Sequence, residues 1–147
     1  MPLTLSMARN HRFTAAEHFN ALISLYPNSA GELRRNGFTW SLWVQPEESS
    51  QQYKIRIKYV VGGRPETYIA EPYPLKLAEG ATDLPHTYDS KQQKLCLYHP
   101  GLFEWGNNML IANTIVHWAI QWLVFYEIWQ LTGVWSGGGH GDYNVKP

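Results

Sequence analysis

The stretch from Tyr53 to Gly63, YKIRIKYVVGG, constrains the fold more than any other part of the chain. Tyr53, Ile55, Ile57, Tyr59 and Val61 alternate with Lys54, Arg56 and Lys58, and a period of two is that of a strand with one buried face. A helix built from the same residues would scatter the apolar ones around its axis. Gly62-Gly63 supplies the backbone of a tight hairpin, so PETYIAE returns antiparallel beside it. Upstream, FTWSLWV repeats the alternation, with Phe38, Trp40, Leu42 and Val44 on one side. A sheet with one apolar face needs a cover.

The segment from Met109 to Leu131 is long enough to cross a bilayer, but Asn113, His117 and Gln121 recur every fourth residue and Glu127 follows. A polar stripe at helical spacing belongs to a half-exposed helix of a soluble domain rather than to a membrane span. We expect this helix to lie on the sheet, as the one element large enough to cover it, and to close at Gly133. At the other end of the chain, Thr14 and Glu17 form a capping-box pattern ahead of Phe19, Leu22, Ile23 and Tyr26. That predicts a first helix from about residue 14 to 26, stopped by Pro27. The Pro-rich EPYPL ends the third strand, and the segment Leu84–Tyr88 supplies a fourth. No linker, charge block or repeat divides the chain. The expected architecture is one α+β domain over 1–147: an N-terminal helix, a four-stranded antiparallel meander, a cysteine-bearing loop and a long C-terminal helix. Its core spans about 14–133, and the tail 136–147 is read as flexible.

Charge and cysteine content narrow the function classes. Twelve basic residues balance twelve acidic ones, so no excess is present to neutralise nucleic-acid phosphates. The stripe Lys54, Arg56, Lys58 reads as a solvated strand face. A single cysteine forms no internal disulfide, and MPLTLSMARNHRF lacks a signal peptide's apolar core, so a reducing cytoplasm is expected. The chain has no GxxxxGK[ST] run, hence no phosphate cradle with which to adenylate a substrate. No cofactor is called for. The aromatics of the last helix either fill the core or leave a surplus for a partner surface.

The cysteine, Cys96, sits in PHTYDSKQQKLCLYHPGLFEW, with His86 ten residues before it and His99 three after. Thiolate is the reactive form of cysteine, and neighbouring cations or donors raise its fraction. Spacing alone leaves two readings open, a nucleophile with histidine partners and a small buried apolar residue. A zinc site from Cys96, His99, His86 and His140 is disfavoured, because structural zinc sites recruit paired ligands from two close-spaced motifs. A Cys-His hydrolase is disfavoured because its nucleophile would stand at a helix N-terminus, whereas the helix here begins about ten residues later. His117 reads as part of the helix's polar stripe. The glycines Gly137–Gly139 resemble the ends of ubiquitin-like modifiers but are followed by further residues, so they read as a flexible cap.

The interval from His86 to Cys96, Leu97 directly after it, Trp105 beyond, and the order of strands, loop and helix resemble the ubiquitin-conjugating enzymes over roughly residues 14–131. The resemblance is to the divergent prokaryotic branch found in antiviral CBASS operons. It implies an acyl transferase in which Cys96 accepts a protein C-terminus as a thioester. The implied partner is a cGAS-like nucleotidyltransferase, loaded with or without a separate activating enzyme. Two departures stand out. Pro85 precedes His86 where the family proline follows, and Tyr88 occupies the register of the family's oxyanion-associated asparagine. The resemblance then assigns Tyr88 to the oxyanion, His86 and His99 to protonation, and Asp89, Leu97 and Trp105 to substrate binding. Loss of the asparagine also fits a catalytically silent adaptor that binds the partner's tail without accepting it.

Overall fold

The computed structural model describes residues 11–98 and 104–137. The first helix, α1, runs Ala15–Leu25. Both halves of its capping box form: the Glu17 amide donates to the Thr14 hydroxyl at 3.0 Å, and the Thr14 amide donates to the Glu17 carboxylate at 2.8 Å. Tyr26 caps the other end, ahead of Pro27, which cannot continue a helix.

Six strands follow: β1 Ala30–Arg34, β2 Gly37–Val44, β3 Tyr53–Val60, β4 Glu66–Glu71, β5 Thr87–Asp89 and β6 Lys94–Leu95. Their order in the sheet is β1-β2-β3-β4-β6-β5, antiparallel throughout. This differs in two places from the four-stranded meander expected. The edge strand β1 is exposed along its whole length, so it carries no alternation to read. A Cβ at Gly31 would meet the Thr39 carbonyl and the Phe19 ring, so glycine is what lets the strand sit under α1. The second difference is β6, which pairs Tyr68 with Lys94 and inserts between β4 and β5. The segment predicted near 84–88 forms β5, at the outer edge.

Phe38, Trp40, Val44, Tyr53, Ile55, Ile57, Tyr59 and Ile69 bury the sheet's inner face. The long helix is not their sole cover, contrary to expectation. Phe19 and Tyr26 of α1 meet Phe38 and Trp40, each with ring centroids 5.7 Å apart. The second helix, α2, runs Ile115–Thr132 behind a 3-10 turn at Ile111–Asn113. It buries Ile115, Ala119, Trp122, Leu123, Tyr126 and Trp129, which share one face. Asn113, His117 and Gln121 are exposed, as the polar stripe required. Gly133 closes α2 in the left-handed conformation, its amide donating to the Trp129 carbonyl at 2.7 Å. No helix among the described residues is long and apolar enough to cross a membrane.

Two buried polar side chains fasten the loops around this core. The Gln93 amide donates to the Ile69 carbonyl at 2.8 Å and the Pro72 carbonyl at 3.2 Å, and accepts from the Leu75 amide at 2.7 Å. It thereby ties the Pro-rich crossing to the sheet. His18 is fully buried on α1. Its Nδ1 accepts from the Ile111 amide at 3.3 Å, so Nε2 carries the proton and donates to Asn107 Oδ1 at 2.6 Å. Burial holds its pKa below the ordinary histidine value.

Gln93→Leu keeps the volume but leaves the buried Leu75 amide without its acceptor. Chemical denaturation should read a loss of about 2–4 kcal/mol. His18 predicts a pH dependence. Its folded pKa lies below its unfolded one, so the unfolded chain binds the extra proton as pH falls. Its contribution is fully present above about pH 6.5 and declines on acidification until the folded pKa is passed. Melts of wild type and His18→Gln should converge as the pH is lowered from 7 to 5.

Candidate active site

The interval between His86 and Cys96 has a plain geometric origin. The hairpin of β5 and β6 pairs Thr87 with Leu95, so the residues flanking that pair face each other. The Cys96 amide donates to the His86 carbonyl at 3.0 Å. The same carbonyl accepts from the Trp122 indole at 3.1 Å, which joins the cysteine segment to α2. His86 adopts φ 48°, a left-handed conformation unusual for a residue with a side chain. Its ring stacks on Trp135 with centroids 4.8 Å apart and planes 23° from parallel.

Cys96 follows β6 and is 2% exposed. Its thiol turns inward and donates to the Tyr98 carbonyl across 3.7 Å. Tyr88 keeps half of its surface in solvent, but its hydroxyl points in and donates to the same carbonyl at 3.3 Å. The two donors therefore share one acceptor, close enough for each to shift the other's ionisation. Burial pushes the thiol's pKa up; the Tyr88 hydroxyl pulls it down, and the Glu104 carboxylate adds to the rise. Burial, with the neighbouring Cys96, likewise raises the Tyr88 phenol well above its usual value. Both groups are therefore protonated donors at rest.

Two clefts meet at this point. One, of about 400 Å³, is lined by Cys96, His86, Glu104 and Gln121 and walled by aromatics of α2 and by Trp135. The other, of about 390 Å³, is lined by Arg64, Glu66, Thr67, Tyr88 and Lys94. Leu97 and Tyr98 border both. On the second side Lys94 pairs with Glu66 at 2.9 Å and lies 5.9 Å from the centre of the Tyr88 ring.

The structure brings together Cys96, Tyr88, His86 and Leu97. Asp89 is used in the hairpin turn, where its carboxylate accepts from the Gln92 amide at 3.0 Å. Trp105 is buried in the core beside Tyr59 and His18; its indole donates to the Thr114 hydroxyl at 3.2 Å, and it lines neither cleft. His99 and His140 lie outside the described residues, as do Gly138 and Gly139. Gly137 is buried, with the Phe125 ring where a Cβ would stand. Helix α2 begins later after Cys96 than the ten residues expected, because the 3-10 turn intervenes. Among the described residues no cluster of three or more His, Cys, Asp or Glu is arranged to hold a metal ion.

Sequence reasoning missed Glu104, Trp118, Trp122, Phe125 and Trp135 as cleft residues. Part of that signal was present: Trp118, Gln121, Trp122 and Phe125 stand at i, i+3, i+4 and i+7, one face of a helix. The stripe borders the core stripe, so periodicity alone could not separate them.

Alkylation of Cys96 by iodoacetamide should be slow at neutral pH and keep climbing above about pH 9, because the thiolate forms late. Glu104→Gln should shift the rate profile to lower pH and Tyr88→Phe to higher pH. Profiles that coincide with wild type would remove both groups from control of the thiol.

A sequence model for the type II CBASS E2 protein family matches residues 18–142. No curated protein matches the chain.

Proposed function

The chain belongs to the type II CBASS E2 family, and from that premise we propose that it is a ubiquitin-conjugating-like acyl transferase with Cys96 as thioester carrier. The family is one of antiviral CBASS systems. The donor in our reading is the C-terminus of a cGAS-like nucleotidyltransferase, activated by a separate enzyme or already in activated form. The observation that carries the proposal is that the Cys96 thiol and the Tyr88 hydroxyl share one acceptor, the Tyr98 carbonyl, where two clefts adjoin along Leu97 and Tyr98.

In this reading the donor tail lies in the cleft of Arg64, Tyr88 and Lys94. The cations favour an anionic or carbonyl-rich extended segment. The thiol gives its proton to solvent, the sulfur attacks the activated carbonyl carbon, and the oxygen takes up negative charge as the tetrahedral intermediate forms; its collapse expels the activating group and leaves the thioester. Tyr88 donates a hydrogen bond to that oxygen, the work done by an asparagine amide elsewhere in the resemblance. Its raised pKa keeps it a donor throughout. The His86 carbonyl, by holding the Cys96 amide, fixes where the sulfur stands during attack. Leu97 borders both clefts and supplies apolar contact on either side.

One observation favours the second reading, an adaptor that binds the tail without accepting it: the thiol is buried and held protonated at rest. Intact-mass analysis after incubation with the nucleotidyltransferase under activating conditions separates the two. The carrier predicts a hydroxylamine-sensitive adduct that is absent in Cys96→Ala and becomes a hydroxylamine-resistant ester in Cys96→Ser. No adduct, with tail binding retained, would leave the adaptor. Tyr88→Phe should slow both loading and transfer, by about 100-fold or more, the scale of one lost oxyanion donor.

A further inference from the structure

Strand β1 ends the sheet on one side, and among the described residues no element pairs with its outer edge. The two-residue turn at Arg35 and Asn36 closes on the pair Arg34 and Gly37, so Arg34 and Glu32 aim their amides and carbonyls at β2. Alternation then aims those of Gly31 and Leu33 at the free edge. Such an edge is a template for a further strand, and proteins commonly block it with proline, lysine or a bulge. Ala30–Arg34, AGELR, contains neither residue, and its register with β2 runs unbroken.

The side chains of this edge are complementary to themselves. Glu32 pairs with Thr39, so Glu32 and Arg34 share the outer face, where they form an ion pair of 2.9 Å largely in solvent. Leu33 pairs with the buried Phe38 and so lies on the face that α1 covers, yet it stays 40% exposed. Two copies of β1 can meet antiparallel about a twofold axis, and the residues select the register. Centred on Glu32 or on Arg34, the pairing sets like charges opposite each other and matches residues whose backbone groups already point at β2. Centred on Gly31, it joins no unlike charges. A slip by half a step would put every side chain on the wrong face. Centred on Leu33, the two Leu33 residues form a hydrogen-bonded pair, and Glu32 stands opposite Arg34 on both sides of the axis. Those two pairs are of the non-hydrogen-bonded kind, with Cα atoms about 4.5 Å apart, the spacing at which cross-strand charges interact most closely.

We propose that a second copy of this chain adds to β1 in the register centred on Leu33, making one continuous antiparallel sheet across a twofold axis. The contact is isologous, so each copy supplies both the Glu32 and the Arg34 of the two ion pairs. It is independent of the carrier reading. Strands β2, β3 and β4 stand between β1 and β6, which Cys96 follows, so both copies keep their clefts open. The dimer thereby presents two thiols toward opposite ends of a shared sheet. A strand of five residues buries little surface, and the association belongs to the weak class.

The test is sedimentation of the full chain from micromolar to millimolar concentration, with variants at these exposed positions whose melting curves check that they fold. Wild type should show a monomer–dimer equilibrium. Arg34→Glu or Glu32→Arg turns both cross-axis pairs into like charges and should weaken dimerisation about tenfold or more. Glu32→Arg combined with Arg34→Glu restores unlike pairs and should restore the dimer, and Leu33→Lys, which puts two cations on the axis, should leave a monomer. For the register, Leu33→Cys in a Cys96→Ala chain should cross-link readily on mild oxidation, since a hydrogen-bonded pair sets its Cα atoms about 5.5 Å apart. Ala30→Cys in the same background should not, because its two copies lie far from the axis. A chain that stays monomeric at millimolar concentration would overturn the proposal. So would a dimer that survives Leu33→Lys, a double reversal that fails to rescue the single ones, or faster cross-linking at position 30 than at 33.

Discussion

The carbonyl of His86 is where the molecule is tied together. Two donors from different parts of the chain converge on it, the Cys96 amide and the Trp122 indole. One fastens the end of the β5–β6 hairpin and the other fastens helix α2 to that end. A carbonyl has two lone pairs, and using both here leaves the cysteine no freedom to move independently of the helix. The cost is the left-handed backbone at His86, which the surrounding contacts must hold in place. Stacking of the imidazole on Trp135 brings the chain beyond Gly133 into the same assembly.

A buried, protonated thiol is a poor nucleophile, and that suits a carrier which should not react with adventitious electrophiles. The Tyr98 carbonyl receives both the thiol and the Tyr88 hydroxyl, so it organises the two groups that the chemistry would use. Tyr88 is half solvated at its ring while its hydroxyl is enclosed. The residue thus borders the second cleft while its hydroxyl shares the Tyr98 carbonyl with the thiol.

Much of this was legible in the residues. The capping box at Thr14 and Glu17, the alternation in β2 and β3, the Gly62-Gly63 hairpin, the polar stripe of α2 and its end at Gly133 all formed as their patterns require. Each is a local rule, decided by neighbours within a few positions. Strand β1 was not legible, since a fully exposed edge strand shows no period. Strand β6 was not legible either, since two residues are too few to show one, and its pairing with β4 joins positions far apart in the chain. The same limit applied to Trp105, which the resemblance assigns to substrate binding but which is held in the core by Tyr59, His18 and Thr114.

The sequence by itself determined that one apolar sheet face would need a helical cover, that a lone cysteine would follow a histidine at a fixed interval, and that the chain resembled a conjugating enzyme. The interval is the local arithmetic of a hairpin, so it could be counted in the residues before its cause was visible. Only the tertiary structure decided that the thiol faces inward, that Glu104 shares a cleft with it, and that the aromatics of α2 wall that cleft beside the core. Those facts depend on which side of a sheet a helix lies against and on how far each group is removed from water. Burial and long-range electrostatics are properties of the packed whole, and no spacing along the chain encodes them.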